Sequence, residues 1–181
     1  MVLRPSASLA LAVVYGVTFA VASMVAAPDR LILGAVLAPV LIWLSLNDLA
    51  SHEIPDTASI IIAVAGLGFQ WHLHGFGFAT WVNVVVAVGL MAVCWLVGAW
   101  FFKHSGGEAL GMGDAKLIGA STLCVGADAI WLLLFIASSG GIVAALLSRR
   151  RGGNGALAFG PFLAYALFIL VNFPMTGLTL T

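Results

Sequence analysis

The sequence predicts an all-α fold, a polytopic transmembrane bundle of about six to seven spans. Three observations carry that prediction. Of the 181 residues, 62% are hydrophobic and only 8% are charged, whereas a soluble domain carries about 25% charged residues. Apolar runs near the length of about 20 residues that a helix needs to cross the hydrocarbon core recur along the whole chain. The interruptions between runs are where Pro, Gly and the few charges gather. Seven Lys+Arg balance seven Asp+Glu, so no excess charge points to nucleic acid or to an acidic partner. No repeat or low-complexity linker divides the chain, and a single integral membrane domain over 1–181 is expected.

The first uncharged run extends from Ser6 to Ala27 and stops at Pro28-Asp29-Arg30. Arg4, an apolar core and small residues before Pro28 also fit a signal peptide, but the run exceeds the usual core of about 7–15 residues, so a retained span is expected. Leu31 to Asn47 makes a second span containing Pro39, tolerated where neighbouring helices satisfy the freed carbonyl. A polar loop with Asp48, His52, Glu53 and Asp56 follows. From Thr57 to Phe102 only His72 and His74 could carry charge, and the stretch holds two helices broken at His72-Leu73-His74-Gly75-Phe76-Gly77, with the glycines of a turn. A glycine-rich loop from Lys103 to Gly113 leads into Asp114. Ala115 to Ala127 is short for a crossing unless its helix begins within that loop. Ala129 to Ser148 is a clear span, Arg149-Arg150-Arg151 and Gly152-Gly153-Asn154-Gly155 form a loop, and Ala156 to Met175 is the last span.

With a cytoplasmic N-terminus and seven crossings, Arg4, Lys103, Lys116 and Arg149 to Arg151 fall inside and Arg30 alone outside, a division of 6 to 1 among the seven cations. That is the positive-inside pattern. The same topology puts Asp48 and Asp114 on the cytoplasmic face, although neither was used in drawing it. His72 and His74 fall on the opposite face and read as an interfacial turn. The arginine run reads as a topology anchor that can meet anionic lipid heads. Cys94 and Cys124 lie in apolar runs without a CxxC spacing and read as buried thiols.

The two aspartates carry the chemistry. A carboxylate near the bilayer is a functional-site candidate by default. Two of them held close split their proton affinities and give one acid and one base, which is the arrangement of an aspartic protease. At Asp114 the flanking Gly111 and Gly113 let another chain segment approach closely; a helix-entry turn with the acid at the N-terminal dipole is the plainer reading. After Asp48, Ile54-Pro55 bars the helix from continuing smoothly; a bare interfacial charge is the plainer reading there. A transporter would use acids near mid-bilayer within inverted repeats.

Taken together, the Asp-x5-Ile-Pro segment at 48–55, the Gly-x-Gly-Asp-x-Lys segment at 111–116 and Phe159-Gly160-Pro161-Phe162 closely resemble the type IV prepilin peptidases, a family of GxGD membrane aspartyl proteases. The resemblance implies that Asp48 and Asp114 are the catalytic pair. It also implies supporting or substrate-binding roles for Gly111, Gly113, Lys116, Ile54, Pro55, Glu53 and Asp56, with no metal or cofactor. The implied partner is a prepilin, of Flp type or a pseudopilin, whose short basic leader is cut after a glycine at the cytoplasmic face of the bacterial inner membrane. No nucleic acid is implied, and a non-catalytic assembly subunit of a pilus machine would not need both aspartates. Larger bifunctional relatives carry a cytoplasmic loop with paired CxxC motifs associated with N-methylation; its lack here is similar to the short TadV/CpaA-like branch. Asp56 stands where relatives commonly have Asn, and Ala158 where Pro is more usual. An extra acid at 56 would help attract a basic leader.

Overall fold

A computed structural model describes residues 5–105, 111–150 and 158–173. Among them the chain forms seven helices and no strand: α1 Pro5–Ala22, α2 Pro28–Ser51, α3 Asp56–His74, α4 Phe78–Ser105, α5 Met112–Val125, α6 Ile130–Arg150 and α7 Gly160–Asn172. The all-α expectation is met. Arg4, Arg151, the turn at 152–155, the ends of the last span and the loop segment 106–110 lie outside the described residues.

Contacts cluster the chain into two units, Met1–His52 with Trp131–Thr181, and Glu53–Ile130. In the first, Leu33, Leu37, Leu41 and Leu44 recur at helical spacing along one face of α2, and α7 supplies Leu163, Leu167, Phe168 and Val171, all buried. The two helices are antiparallel, since Asp48 meets Gly160 at one end and Gly34 meets Asn172 at the other. Any side chain at 34 would overlap the buried Asn172 amide. Tyr15 of α1 stacks on Phe168 at 4.7 Å between ring centroids. Thr18 and Tyr165 share a hydroxyl hydrogen bond of 2.9 Å. Gly140 and Gly141 of α6 leave room for Phe162 and Phe159.

In the second unit α5 packs against both α3 and α4. Residues 115, 117–122 and 124 are all buried, so α5 is covered on nearly every side. Fourteen residues make a helix of only about 21 Å, short of the hydrocarbon thickness of about 30 Å. The flanking helices, with 19 and 28 residues, are longer. Close approach is bought with glycine: a Cβ on Gly66 would lie 2.7 Å from the backbone nitrogen of Cys124, and one on Gly119 would lie 3.1 Å from the Ala87 carbonyl oxygen. The α3–α4 turn sits at Gly75, whose φ of 59° suits a residue without Cβ.

Outside the packed faces the helices are apolar. Val13 and Val17 of α1, Val85 and Trp95 of α4, and Phe135 and Ile142 of α6 are exposed, and such large apolar surface suits a lipid rather than water. Two buried hydroxyls are satisfied within their own helices, Ser45 donating to the Leu41 carbonyl at 2.7 Å and Thr122 to that of Ile118 at 2.9 Å, as a medium without water favours. Among the described residues, Pro28–Ser51, Phe78–His104 and Ile130–Arg150 are long and apolar enough to cross a membrane by length and composition.

Several boundaries differ from the sequence expectation, among them the end of α1 at Ala22 instead of Ala27 and the start of α2 at Pro28 instead of Leu31, and two more bear on the site. The second helix does not end at Asn47 but continues through Asp48 to Ser51, because the acid finds a partner inside the fold instead of solvent. Helix α5 begins at Met112, three residues before the predicted start, so Asp114 stands within its first turn.

Candidate active site

Asp48 occupies the last full turn of α2. His52 closes that helix in the left-handed conformation, φ 54° and ψ 32°, and donates its backbone N–H to the Asp48 carbonyl at 2.9 Å. The Asp48 side chain turns inward and is only 5% exposed. Its Oδ2 accepts the backbone N–H of Gly160 at 2.8 Å. Gly160 opens α7, followed by a proline in the first turn. The first N–H groups of a helix have no partner within it, and the end of the helix favours negative charge. Asp48 therefore caps α7. Contact this close requires glycine, because a Cβ at 160 would lie 2.7 Å from the carboxylate oxygen.

Asp114 is half-buried in the first turn of α5. Gly111 precedes the helix in extended conformation. Two contacts tie this turn to the start of α3. A Cβ on Gly113 would lie 2.9 Å from that of Ile54, so the Ile-Pro turn rests on the glycine. One turn further, Lys116 Nζ donates to Asp56 Oδ1 at 2.7 Å. Pro55 supplies the extended residue before α3, with φ −63° and ψ 129°. Ile54 and Pro55 are half-buried and Glu53 is exposed.

The structure thus brings Ile54, Asp56, Gly113 and Lys116 together in one unit and Asp48 together with Gly160 in the other. The Asp56 charge is balanced by Lys116 instead of standing free beside the site. Gly160 entered the sequence reading only as part of a family pattern; its backbone role was missed. The available signal was a glycine directly before a proline that opens a helix, a position where a bare N–H is free to bind an acid.

The sequence pattern of the type IV leader peptidase family matches residues 35–146, an interval containing Asp48, Ile54, Pro55 and Asp114. The chain is also similar to a prepilin leader peptidase/N-methyltransferase of Neisseria gonorrhoeae, 31% identical over 138 residues, which cover 76% of this chain and 47% of that protein. The chain spans about half the length of that curated relative. No solved structure matches it.

Proposed function

We propose that this chain, which belongs to the type IV leader peptidase family, is an aspartyl endopeptidase that removes the short basic leader of Flp-type prepilins or pseudopilins. It is a multi-pass membrane protein, with apolar helices and outward-facing apolar side chains. In the proposed mechanism Asp48 and Asp114 share one proton and hold a water between them. The ionised carboxyl takes the proton of that water as it attacks the scissile carbonyl, and the neutral one donates to the carbonyl oxygen. The pair titrates as a unit, so neither acid has a fixed role.

The observation that carries the reading is the setting of the acids in a chain so poor in charge. Asp48 is withdrawn from solvent and held by a backbone N–H. Asp114 stands in the first turn of a helix enclosed by two others, its turn fixed by Ile54 and by the Lys116–Asp56 pair. The positive-inside division of Lys and Arg supports cleavage at the cytoplasmic face of the inner membrane.

Asp48→Asn and Asp114→Asn are each expected to abolish cleavage of a purified prepilin while leaving membrane insertion intact, because asparagine keeps size and polarity but cannot exchange the proton. The double variant should lose little more than either single one. Near-normal cleavage by either single variant would remove that residue from the site.

A further inference from the structure

Helices α3 and α5 run parallel, with Asp56 beside Lys116 at one end and Gly66 beside Cys124 at the other. Helix α4 runs the opposite way and meets α5 where Gly119 touches Ala87 and Met91. Between them lies a groove of about 340 Å³ within the second unit, lined among others by Ser59, Ala63, Val88, Met91 and Ala120. Apart from Ser59, its wall is apolar except at one end, where the Lys116–Asp56 ion pair stands. Ile60, Val88 and Met91 on its rim are exposed, so the groove opens sideways, in the direction from which a membrane-embedded segment would arrive.

Two observations indicate an occupant and its orientation. Ser59 lines the groove and is only 6% exposed, yet its hydroxyl has no hydrogen-bond partner among the described residues. An unpaired buried hydroxyl is costly, above all where no water reaches it, and a ligand with a backbone carbonyl or N–H at that depth would satisfy it. The groove also leads to the proposed chemistry. From the contact of Gly119 with Met91, α5 runs back toward its first turn, where Lys116, which lines the groove, follows Asp114 by two residues. A peptide in the groove would therefore place its polar end beside the Asp114 turn and its apolar side chains deeper, between α3 and α4.

We infer that this groove binds the apolar segment of the substrate that follows the scissile bond, with the Ser59 hydroxyl bonded to the peptide backbone. The inference rests on the peptidase reading above and extends it by assigning a subsite. Occupancy of the groove precedes and outlasts the chemical step, so its contribution is to binding more than to turnover.

The test uses a synthetic prepilin with a basic leader, a glycine and an apolar segment of about 20 residues, compared with a peptide that ends shortly after the cleavage site. Ala63→Trp fills the groove from α3. It is expected to raise KM for the full prepilin by about tenfold or more with kcat nearly unchanged, and to leave cleavage of the truncated peptide as in the unmodified protein. Ser59→Ala removes the hydroxyl without removing an internal bond, and should raise KM for the full prepilin severalfold with no loss of thermal stability. A photo-crosslinking residue at 88 in an Asp114→Asn background should capture the full prepilin without turnover. Equal KM values for the full prepilin in all variants, or crosslinks at 88 to lipid alone, would overturn the inference. Failure of the unmodified protein to cut either substrate would instead overturn the peptidase reading, and capture at 88 would still decide the groove.

Discussion

Gly160 shows how one missing carbon can define a site. A methyl there would meet the Asp48 carboxylate at 2.7 Å, and the neighbour is the buried end of a short side chain with little freedom to withdraw. Gly160→Ala is expected to cost about 1–3 kcal/mol of stability and to reduce cleavage at least tenfold, read as a lower Tm in detergent and a slower rate on a purified prepilin. Gly68→Ala is the control: nothing lies within 4 Å of its added methyl, and the helix should gain up to about 1 kcal/mol. The Lys116–Asp56 pair behaves differently. Its side chains are 35% and 66% exposed, so solvent screening limits it to about 0–1 kcal/mol, and Asp56→Asn should move Tm only slightly. The acids were legible in the sequence because charges are rare here and each stands beside Pro or Gly. Gly160 was not, because its contribution is a backbone N–H offered to a residue 112 positions away, and no side chain announces that.

Helix α5 presented a length problem that the sequence exposed without solving. Thirteen residues from Ala115 to Ala127 were too few to cross; the structure starts the helix at Met112 and encloses it between longer neighbours, so that little of its surface needs to match lipid. If α5 nevertheless carries the chain across, a periplasm-active reporter fused near Gly126 should be active and one fused after Arg151 should be silent. The reverse result would mean re-entry or an interfacial path. Packing on α3 should be equally sensitive, since a Cβ at Gly66 would meet backbone atoms of residues 123 and 124 at 2.7–2.8 Å. Backbone yields less than a flexible side chain, so Gly66→Val should destabilise the protein by more than Gly160→Ala does. Hydrophobic run lengths and turn glycines revealed all seven helices. The continuation of α2 past Asn47 was hidden, because a carboxylate read along the chain looks like a helix end until its partner on α7 is known.

At the level of the molecule, large apolar side chains among the described residues are exposed along the helices, while the charged groups Asp48, Asp56, Asp114 and Lys116 stand at helix ends. The chain's longest polar loop between predicted spans, Lys103 to Gly113, has eleven residues, and its two cysteines, Cys94 and Cys124, are both free. A methyl-donor site of the kind associated with paired cysteines has no counterpart in these segments, so the chain is expected to shorten a prepilin and leave the new N-terminus unmethylated. Intact-mass measurement after incubation with a labelled donor checks this, and stoichiometric methylation would refute it. The contact between Asp48 and Gly160 also sets an order in time. A ribosome working at about 5–20 residues per second needs roughly 6–22 s to translate the 112 positions that separate them. Throughout that interval the nascent second helix carries an acid whose backbone partner has not been made. Until α7 is delivered, that end of α2 lacks the N–H that holds its carboxylate, and on the peptidase reading no cleavage is expected from the unfinished chain.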